Sequence, residues 1–331
     1  ELNSSHLGTT SPPDLPTSTP DSTAWLGVEW DHDALAQRGV FIVQSVYSGT
    51  PAAHPNSRLI PGDRVVAVNG TEISSSEPMA KLLNRQDGRK VRLKVQRGAS
   101  NLEILIRPTS SLSRSDVLYE DFVARQRELV EKLSGGRLTY LHIEGMNDPS
   151  YQRFLREIRT LTPGKEGVVI DVRFNGGGST SHLKLSILIK QPWLERTWRS
   201  SPGLTVSENI WRGDSLELPT ALLINQNSFS NAEMFAEGFR YYKLGPIAGV
   251  PTAGGVISTG QYGLWDGGSI RMPRGGAFAS NGENLERNGR KPDFRVNFDP
   301  NAWREGRDVQ TEKIVAELMK RLPQQRPARP N

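Results

Sequence analysis

The stretch Pro219-Thr-Ala-Leu-Leu-Ile-Asn-Gln-Asn-Ser-Phe-Ser-Asn-Ala-Glu-Met-Phe235 decides how this chain is read. Its first six residues are short, apolar and rich in strand formers. Met234, Phe235, Phe239 and Tyr242 then recur at helical spacing, which predicts a helix that stops near Gly245-Pro246. Ser230 would therefore stand where a buried strand turns sharply into a helix. Free backbone N–H groups and the positive end of the helix dipole collect there, and both suit the oxyanion formed when a hydroxyl attacks a carbonyl. The same residues also read as plain structure, because Ser230 followed three positions later by Glu233 spells a capping box.

Upstream, Arg137–Ile143 and Gly167–Arg173 read as buried strands, with a helix over Tyr151–Leu161 between them. Strands alternating with helices predict an α/β core. The second strand runs into Phe174-Asn-Gly-Gly-Gly-Ser179, a glycine loop that lets backbone N–H groups approach a ligand closely. Phosphate is the usual guess for such a loop. Neither the lysine of a P-loop nor the spaced glycines of a dinucleotide site is present.

Further toward the N-terminus the character changes. Trp25–Val28, Gly39–Val46, Arg64–Val68 and Arg89–Arg97 read as strands, interrupted by a helical Glu77–Asn84, which predicts a small β-rich module. Asp116–Leu133 has apolar residues at helical spacing, a Ser115 or Asp116 cap and a Gly135-Gly136 stop, and reads as a connecting amphipathic helix. The Pro/Ser/Thr run between Gly8 and Pro20 reads as a linker, and His6 ahead of it as a residue with no evident role.

Composition narrows the chemistry. With 331 residues there is room for two domains, each with its own core. The absence of cysteine removes disulfides, thiolate metal sites and a cysteine nucleophile, and no histidine spacing suggests a metal. A net charge of +5, with basic residues scattered among acidic ones, argues against nucleic acid, and no apolar run is long enough to span a bilayer. The chain begins at Glu1 without Met or a signal-peptide pattern, which reads as a fragment or processed form, so the compartment stays open.

Two resemblances order these pieces. Val43–Ala52 and Leu59-Ile-Pro-Gly-Asp-Arg-Val-Val-Ala-Val-Asn-Gly70 resemble a PDZ domain. Trp25-Leu-Gly-Val28 resembles the loop by which such domains take a peptide C-terminus, with Leu26 and Gly27 as candidate binding residues. The module could equally be a spacer. The whole chain resembles the tricorn-type branch of the S41 serine peptidases, relatives of the tail-specific and C-terminal processing proteases. The resemblance rests on Ser4-Ser5-His6, on Asp171-Val-Arg-Phe-Asn-Gly-Gly-Gly178, on the Ser230 turn, on Leu244–Val256 and on Glu286–Asp293. It implies a crotonase-like α/β catalytic domain of ββα type, with Ser230 as nucleophile, His6 as general base, Glu286 as its carboxylate partner and Ser5 as a positioning serine. The oxyanion hole would come from the N–H groups of Asn231 and of Gly177 or a glycine next to it, and Glu195 would accept basic side chains of the substrate.

No cofactor or metal is implied, the substrates would be peptides or unfolded proteins, a homo-oligomer is expected and the cytoplasm is favoured. The lysine base of the processing branch has no counterpart in Pro251-Thr-Ala-Gly-Gly-Val256. The domains would be 1–23 (an N-terminal segment), 24–109 (PDZ), 110–136 (connecting helix), 137–322 (catalytic) and 323–331 (a disordered tail). A non-catalytic ligand carrier on the same fold is the rival, and retention of Ser230, His6 and Glu286 weighs against it. The six residues through His6 offer little surface to hold them in place, so the base is expected to dock poorly without preceding sequence.

Overall fold

The structure is a computed structural model that describes residues 5–10, 22–110, 112–189, 194–198, 201–208 and 216–322; for 112, 113, 194–198 and 201–208 it describes the backbone alone. The predicted tail 323–331 lies outside these residues, as does most of the predicted linker. Two compact units divide the chain, one formed by Leu15–Ala124 and the other by Glu1–Asp14 together with Arg125–Asn331.

β1 (Gly8–Thr10) comes first in the chain. The unit Leu15–Ala124 then contains β2 (Val28–Trp30), α1 (His32–Arg38), β3 (Phe41–Val46), β4 (Arg64–Val68), β5 (Thr71–Glu72), α2 (Met79–Leu83), β6 (Val91–Arg97) and β7 (Ser100–Ile106). Its sheet runs β2-β3-β4-β6-β7, with β5 hairpinned to β4. The alternation that predicted β6 places Val91, Leu93 and Val95 in the core and leaves Arg92 and Lys94 exposed. The strand predicted at Trp25 begins only at Val28, because Gly27 turns the chain with φ +90°. α1 escapes the sequence reading since only Ala34 is buried; Asp31 caps it by accepting from the Ala34 N–H, and left-handed Gly39 ends it.

α3 (Leu112–Ser134) follows, stopped by Gly135 and Gly136, both at positive φ. The larger unit continues with β8 (Leu138–His142), α4 (Asp148–Leu161), β9 (Gly167–Asp171), α5 (Ser181–Leu188), β10 (Leu194–Trp198), β11 (Ser201–Glu208), β12 (Thr220–Ile224), α6 (Asn231–Tyr241), β13 (Ile247–Gly249), β14 (Ser258–Gly263), β15 (Ser269–Gly275), β16 (Phe294–Arg295), α7 (Pro300–Arg304) and α8 (Val309–Met319). Its central sheet has the order β16-β13-β12-β9-β8 and is parallel throughout. β8, β9 and β12 are buried along their whole length, as continuous apolar runs in a parallel sheet should be. Ile170, Leu222, Ile224 and Ile247 join Phe154 of α4 and Phe235 and Phe239 of α6 in one core. α8 packs against β9, β12 and β13.

Arg173, two residues past β9, is buried in a polar network. It donates to Asp171 at 2.7 and 2.9 Å, to Asp308 at 2.8 Å and to Gln310 at 2.9 Å, while Tyr140 donates to Asp171 at 2.8 Å. Burial works against the Arg173 charge, and the two carboxylates outweigh it, so the guanidinium is held protonated.

A smaller antiparallel sheet runs β1-β15-β14, with Gly8 opposite Arg271 and Thr10 opposite Ser269. The N-terminal segment, expected to offer little surface to hold it, is paired here. Main-chain hydrogen bonds to β15 hold it where apolar burial would not, since all of β1 is exposed. No helix among the described residues is long and apolar enough to cross a membrane.

Candidate active site

Buried β12 delivers the chain to Asn225, and the turn that follows is over-determined by hydrogen bonds. The Ser228 hydroxyl donates to the Val172 carbonyl at 2.8 Å, Phe229 N–H to the Asn175 carbonyl at 2.9 Å and Phe174 N–H to Asn225 Oδ1 at 3.1 Å. These bonds hold the turn against the glycine loop after β9. Ser230 is thereby fixed at φ +57°, ψ −118°, a conformation that a residue with a side chain rarely adopts, directly at the N-terminus of α6.

The capping reading also has a basis. Glu233 Oε1 accepts from the Ser230 N–H at 3.0 Å. The Ser230 side chain accepts in turn from the Glu233 N–H, completing the capping box, and the Glu233 and Met234 N–H groups also reach the Ser230 carbonyl at 2.9 and 3.2 Å.

His6 comes to the same place from the other end of the chain. Its ring stacks on Phe229, the neighbour of Ser230, at 4.4 Å between centroids. Ser5 N–H donates to Glu286 Oε1 at 2.7 Å, Ser5 Oγ donates to Glu286 Oε2 at 3.1 Å, and Ser5 Oγ lies 2.9 Å from His6 Nδ1. A hydroxyl has one proton. With it directed to Glu286, Ser5 Oγ must accept from His6 Nδ1–H, which leaves the Nε2 lone pair free to take a proton.

Burial lowers the pKa of His6, Arg271 lowers it further, and the opposing carboxylates of Glu286 and Glu233 do not restore it. Burial pushes the Glu286 carboxyl up, but the N–H groups of Ser5, Val256 and Ile257 and the Ser5 hydroxyl outweigh it and hold the group ionised, below the usual range.

Gly177 packs on the turn so closely that a Cβ there would lie 2.7 Å from Ser230 Cβ and 3.0 Å from the Asn231 nitrogen. Its own N–H donates to Asn175 Oδ1 at 2.8 Å. The N–H groups of Asn231 and of the adjacent Gly178 have no acceptor among the described residues. The structure thus brings Ser5, His6, Glu286, Gly177, Ser230 and Asn231 into one neighbourhood.

The remaining predicted residues lie elsewhere. Glu195 pairs with Ser207 in the β10–β11 hairpin, and its side chain is outside the described residues. Leu26 and Gly27 belong to the smaller unit. The Leu26 side chain is buried in that unit's core, so only its main chain can meet a ligand. The carbonyls of Leu26 and Gly27 accept from Ala52 N–H and Tyr47 N–H, and their N–H groups have no acceptor among the described residues. They stand beside a cleft of about 320 Å³ lined by Val28, Trp30, Met79 and Leu83.

Sequence reading assigned Glu233 only a cap. In the structure its carboxylate also accepts from the Thr252 hydroxyl at 2.5 Å and from the Gly254 and Gly255 N–H groups at 2.6 and 2.8 Å. The signal available for this was Thr252-Ala-Gly-Gly255, small residues that let a backbone approach closely.

Comparison with known proteins gives the family of each domain. Residues 137–296 match peptidase family S41 and residues 24–107 match the PDZ domain. Tricorn protease homolog 1 of Streptomyces coelicolor is 30% identical over 270 residues, covering 81% of this chain and 25% of the relative. The tricorn protease homolog of Saccharolobus solfataricus is 27% identical over 325 residues, covering 93% of this chain and 29% of the relative. The chain therefore spans well under half the length of these relatives. The crystal structure of the tricorn protease superposes with a TM-score of 0.77 at 20% identity, over 96% of this chain and 31% of that one, which extends the likeness in fold to nearly every residue. The chain is a tricorn-type member of peptidase family S41 that carries a PDZ domain.

Proposed function

We propose that this chain is the catalytic part of a serine endopeptidase that hydrolyses peptides or unfolded proteins through a Ser230–His6–Ser5–Glu286 tetrad. The observation that carries the reading is the hydrogen-bonded chain Glu286–Ser5–His6, which ends on Phe229 beside a serine held at a strained helix N-terminus. In the reaction His6 Nε2 takes the Ser230 proton as Oγ attacks the scissile carbonyl, and returns it to the leaving amine. Glu286, acting through Ser5, fixes the tautomer and stabilises the imidazolium. The oxyanion falls to Asn231 N–H, with a second donor from the glycine loop. Among the described residues Gly178 has its N–H free for that, whereas the Gly177 N–H is already engaged by Asn175.

The finer parts of the reading are proposals of the same kind. The parallel sheet with its helices is read as a crotonase-like core. The boundaries 24–109, 110–136 and 137–322 are kept for the PDZ domain, the connecting helix and the catalytic domain. The PDZ unit recruits or gates substrate by taking a peptide C-terminus on the Leu26 and Gly27 N–H groups. Glu195 accepts basic side chains, and the working form is a homo-oligomer.

Labelling with a fluorophosphonate probe, followed by peptide mapping, tests the central claim. Ser230 should carry the label, and Ser230→Ala should abolish labelling and hydrolysis while the protein stays folded. A lost cap costs only about 1 kcal/mol, whereas loss of a nucleophile costs several orders of magnitude in rate. Hydrolysis undiminished in the purified variant would sink the reading.

A further inference from the structure

The segment Thr252-Ala-Gly-Gly-Val-Ile257 divides its hydrogen-bond donors between two carboxylates. The Gly254 and Gly255 N–H groups and the Thr252 hydroxyl go to Glu233, whose Oε1 also accepts from the Ser230 N–H. The next two N–H groups, of Val256 and Ile257, go to Glu286 Oε2 at 2.8 and 3.2 Å, and Glu286 also receives the Ser5 N–H and hydroxyl. One carboxylate thus holds the nucleophile and the other the base, with a single short strap between them.

The strap is tied down at its first residue and at its middle. Thr252 Oγ1 accepts from Arg290 N–H at 2.7 Å, Thr252 N–H donates to the Arg290 carbonyl at 3.1 Å and Arg287 N–H to the Gly254 carbonyl at 2.7 Å. Arg290 is itself buried and paired with Glu237 at 3.1 Å and Glu283 at 3.3 Å. The strap's position relative to the Glu286 segment is therefore fixed independently of the catalytic groups.

Gly255 occupies the narrowest point. A Cβ added there would meet the Phe229 ring at 2.2 Å and Ser5 Cβ at 3.0 Å. Phe229 is the ring on which His6 stacks. Gly255 is not among the positive-φ glycines, so its backbone tolerates alanine and only the missing space forbids it.

We infer that Thr252 and Gly255 are positioning residues which, through the strap, set the separation between Ser230 and the Ser5–His6 pair. The inference rests on the tetrad reading above. In physical terms, two carboxylates are bridged by N–H groups of one loop, so nucleophile and base cannot drift apart independently.

The test follows His6 by NMR titration in isotope-labelled protein, its signal assigned by loss in His6→Ala, together with peptide hydrolysis. Arg271, Glu286 and Glu233 are the charged groups that act on this ring. Gly255→Ala should displace Phe229 and Ser5, free the ring to solvent and move its pKa up toward the ordinary value, with a fall of about a hundredfold in kcat and little change in KM. Thr252→Val should act in the same direction, and Thr252→Ser, which keeps the hydroxyl, should restore both readouts. A merely structural role would lower the unfolding midpoint and leave the His6 titration of the folded protein unmoved. Unchanged His6 titration in both folded Gly255→Ala and Thr252→Val would overturn the inference. If the ring titrates as expected in every variant and the parent protein neither labels nor hydrolyses, the strap's geometry stands and the peptidase reading falls instead.

Discussion

If His6 is the base, as proposed, it has to be neutral to take a proton from Ser230, and the groups around it decide the pH at which it is. Burial and Arg271 both disfavour the imidazolium, so the rate of hydrolysis should rise with pH through an inflection below the ordinary histidine value of about 6.5. Arg271 stands opposite Gly8 on β15 and is exposed. Arg271→Gln should therefore move the inflection to higher pH, and added salt should move the parent's in the same direction by screening that charge. A profile of kcat/KM against pH at two salt concentrations checks both, and an inflection that Arg271→Gln leaves in place would remove Arg271 from the account. At this scale the sequence was informative about types and poor about partners. Ser230 could be found from strand-to-helix periodicity, but His6 gave no local signal at all. Its neighbour Ser5 bonds to Glu286, 281 positions away, and no window of sequence contains both.

The glycine loop after β9 shows how much an element can demand of one residue. Gly178 sits at φ +140°, and a Cβ on it would lie 2.1 Å from the Met146 carbonyl oxygen, which accepts from the N–H groups of Ser179 and Thr180. Gly178→Ala is expected to cost at least about 2 kcal/mol of stability through strain and collision together, and to lower activity beyond that by shifting the loop against Ser230. The urea midpoint gives the first effect. Labelling of protein that is still folded gives the second, and a midpoint unchanged from the parent would contradict the geometry. The elements that could be read in advance are those whose burial writes a pattern. β8, β9 and β12 are apolar runs because both faces are covered, and β6 alternates because one is. β14 and β15 expose most of their residues, among them Arg271 and Arg274, and so carry no period to read. β1 is three exposed residues that become a strand only because β15 is there to pair with.

Two separate hydrophobic cores, one built on β9, β12 and α6 and the other on β3, β4 and β6, account for the division of the molecule. The smaller core is large enough to expect residues 15–124 to fold by themselves and to bind an extended peptide beside Leu26 and Gly27. If those N–H groups take the carboxylate, a peptide amidated at its C-terminus should bind at least about tenfold more weakly, the worth of hydrogen bonds to a charged group. Calorimetric titration of the pair of peptides measures this, and equal affinities would remove the carboxylate from the site. The two-core organisation was legible, because a PDZ-like strand pattern and a parallel α/β pattern do not share a period. The return of the N-terminal segment toward Glu286 was expected from the family resemblance and from no local pattern, since it depends on main-chain pairing that any residue could supply.

That return also sets an order of events during synthesis. Ser230 precedes Glu286 in the chain, so on the proposed reading the partner that holds Ser5 and His6 is made later than the nucleophile. A nascent polypeptide that has emerged past α6 therefore carries its serine without an organised base, and the hydroxyl is left as unreactive as any other on the surface. Only when translation has passed β15 and Glu286 can β1, Ser5 and His6 close onto them, so on the proposed reading the newborn molecule should be incapable of cutting its neighbours on the ribosome.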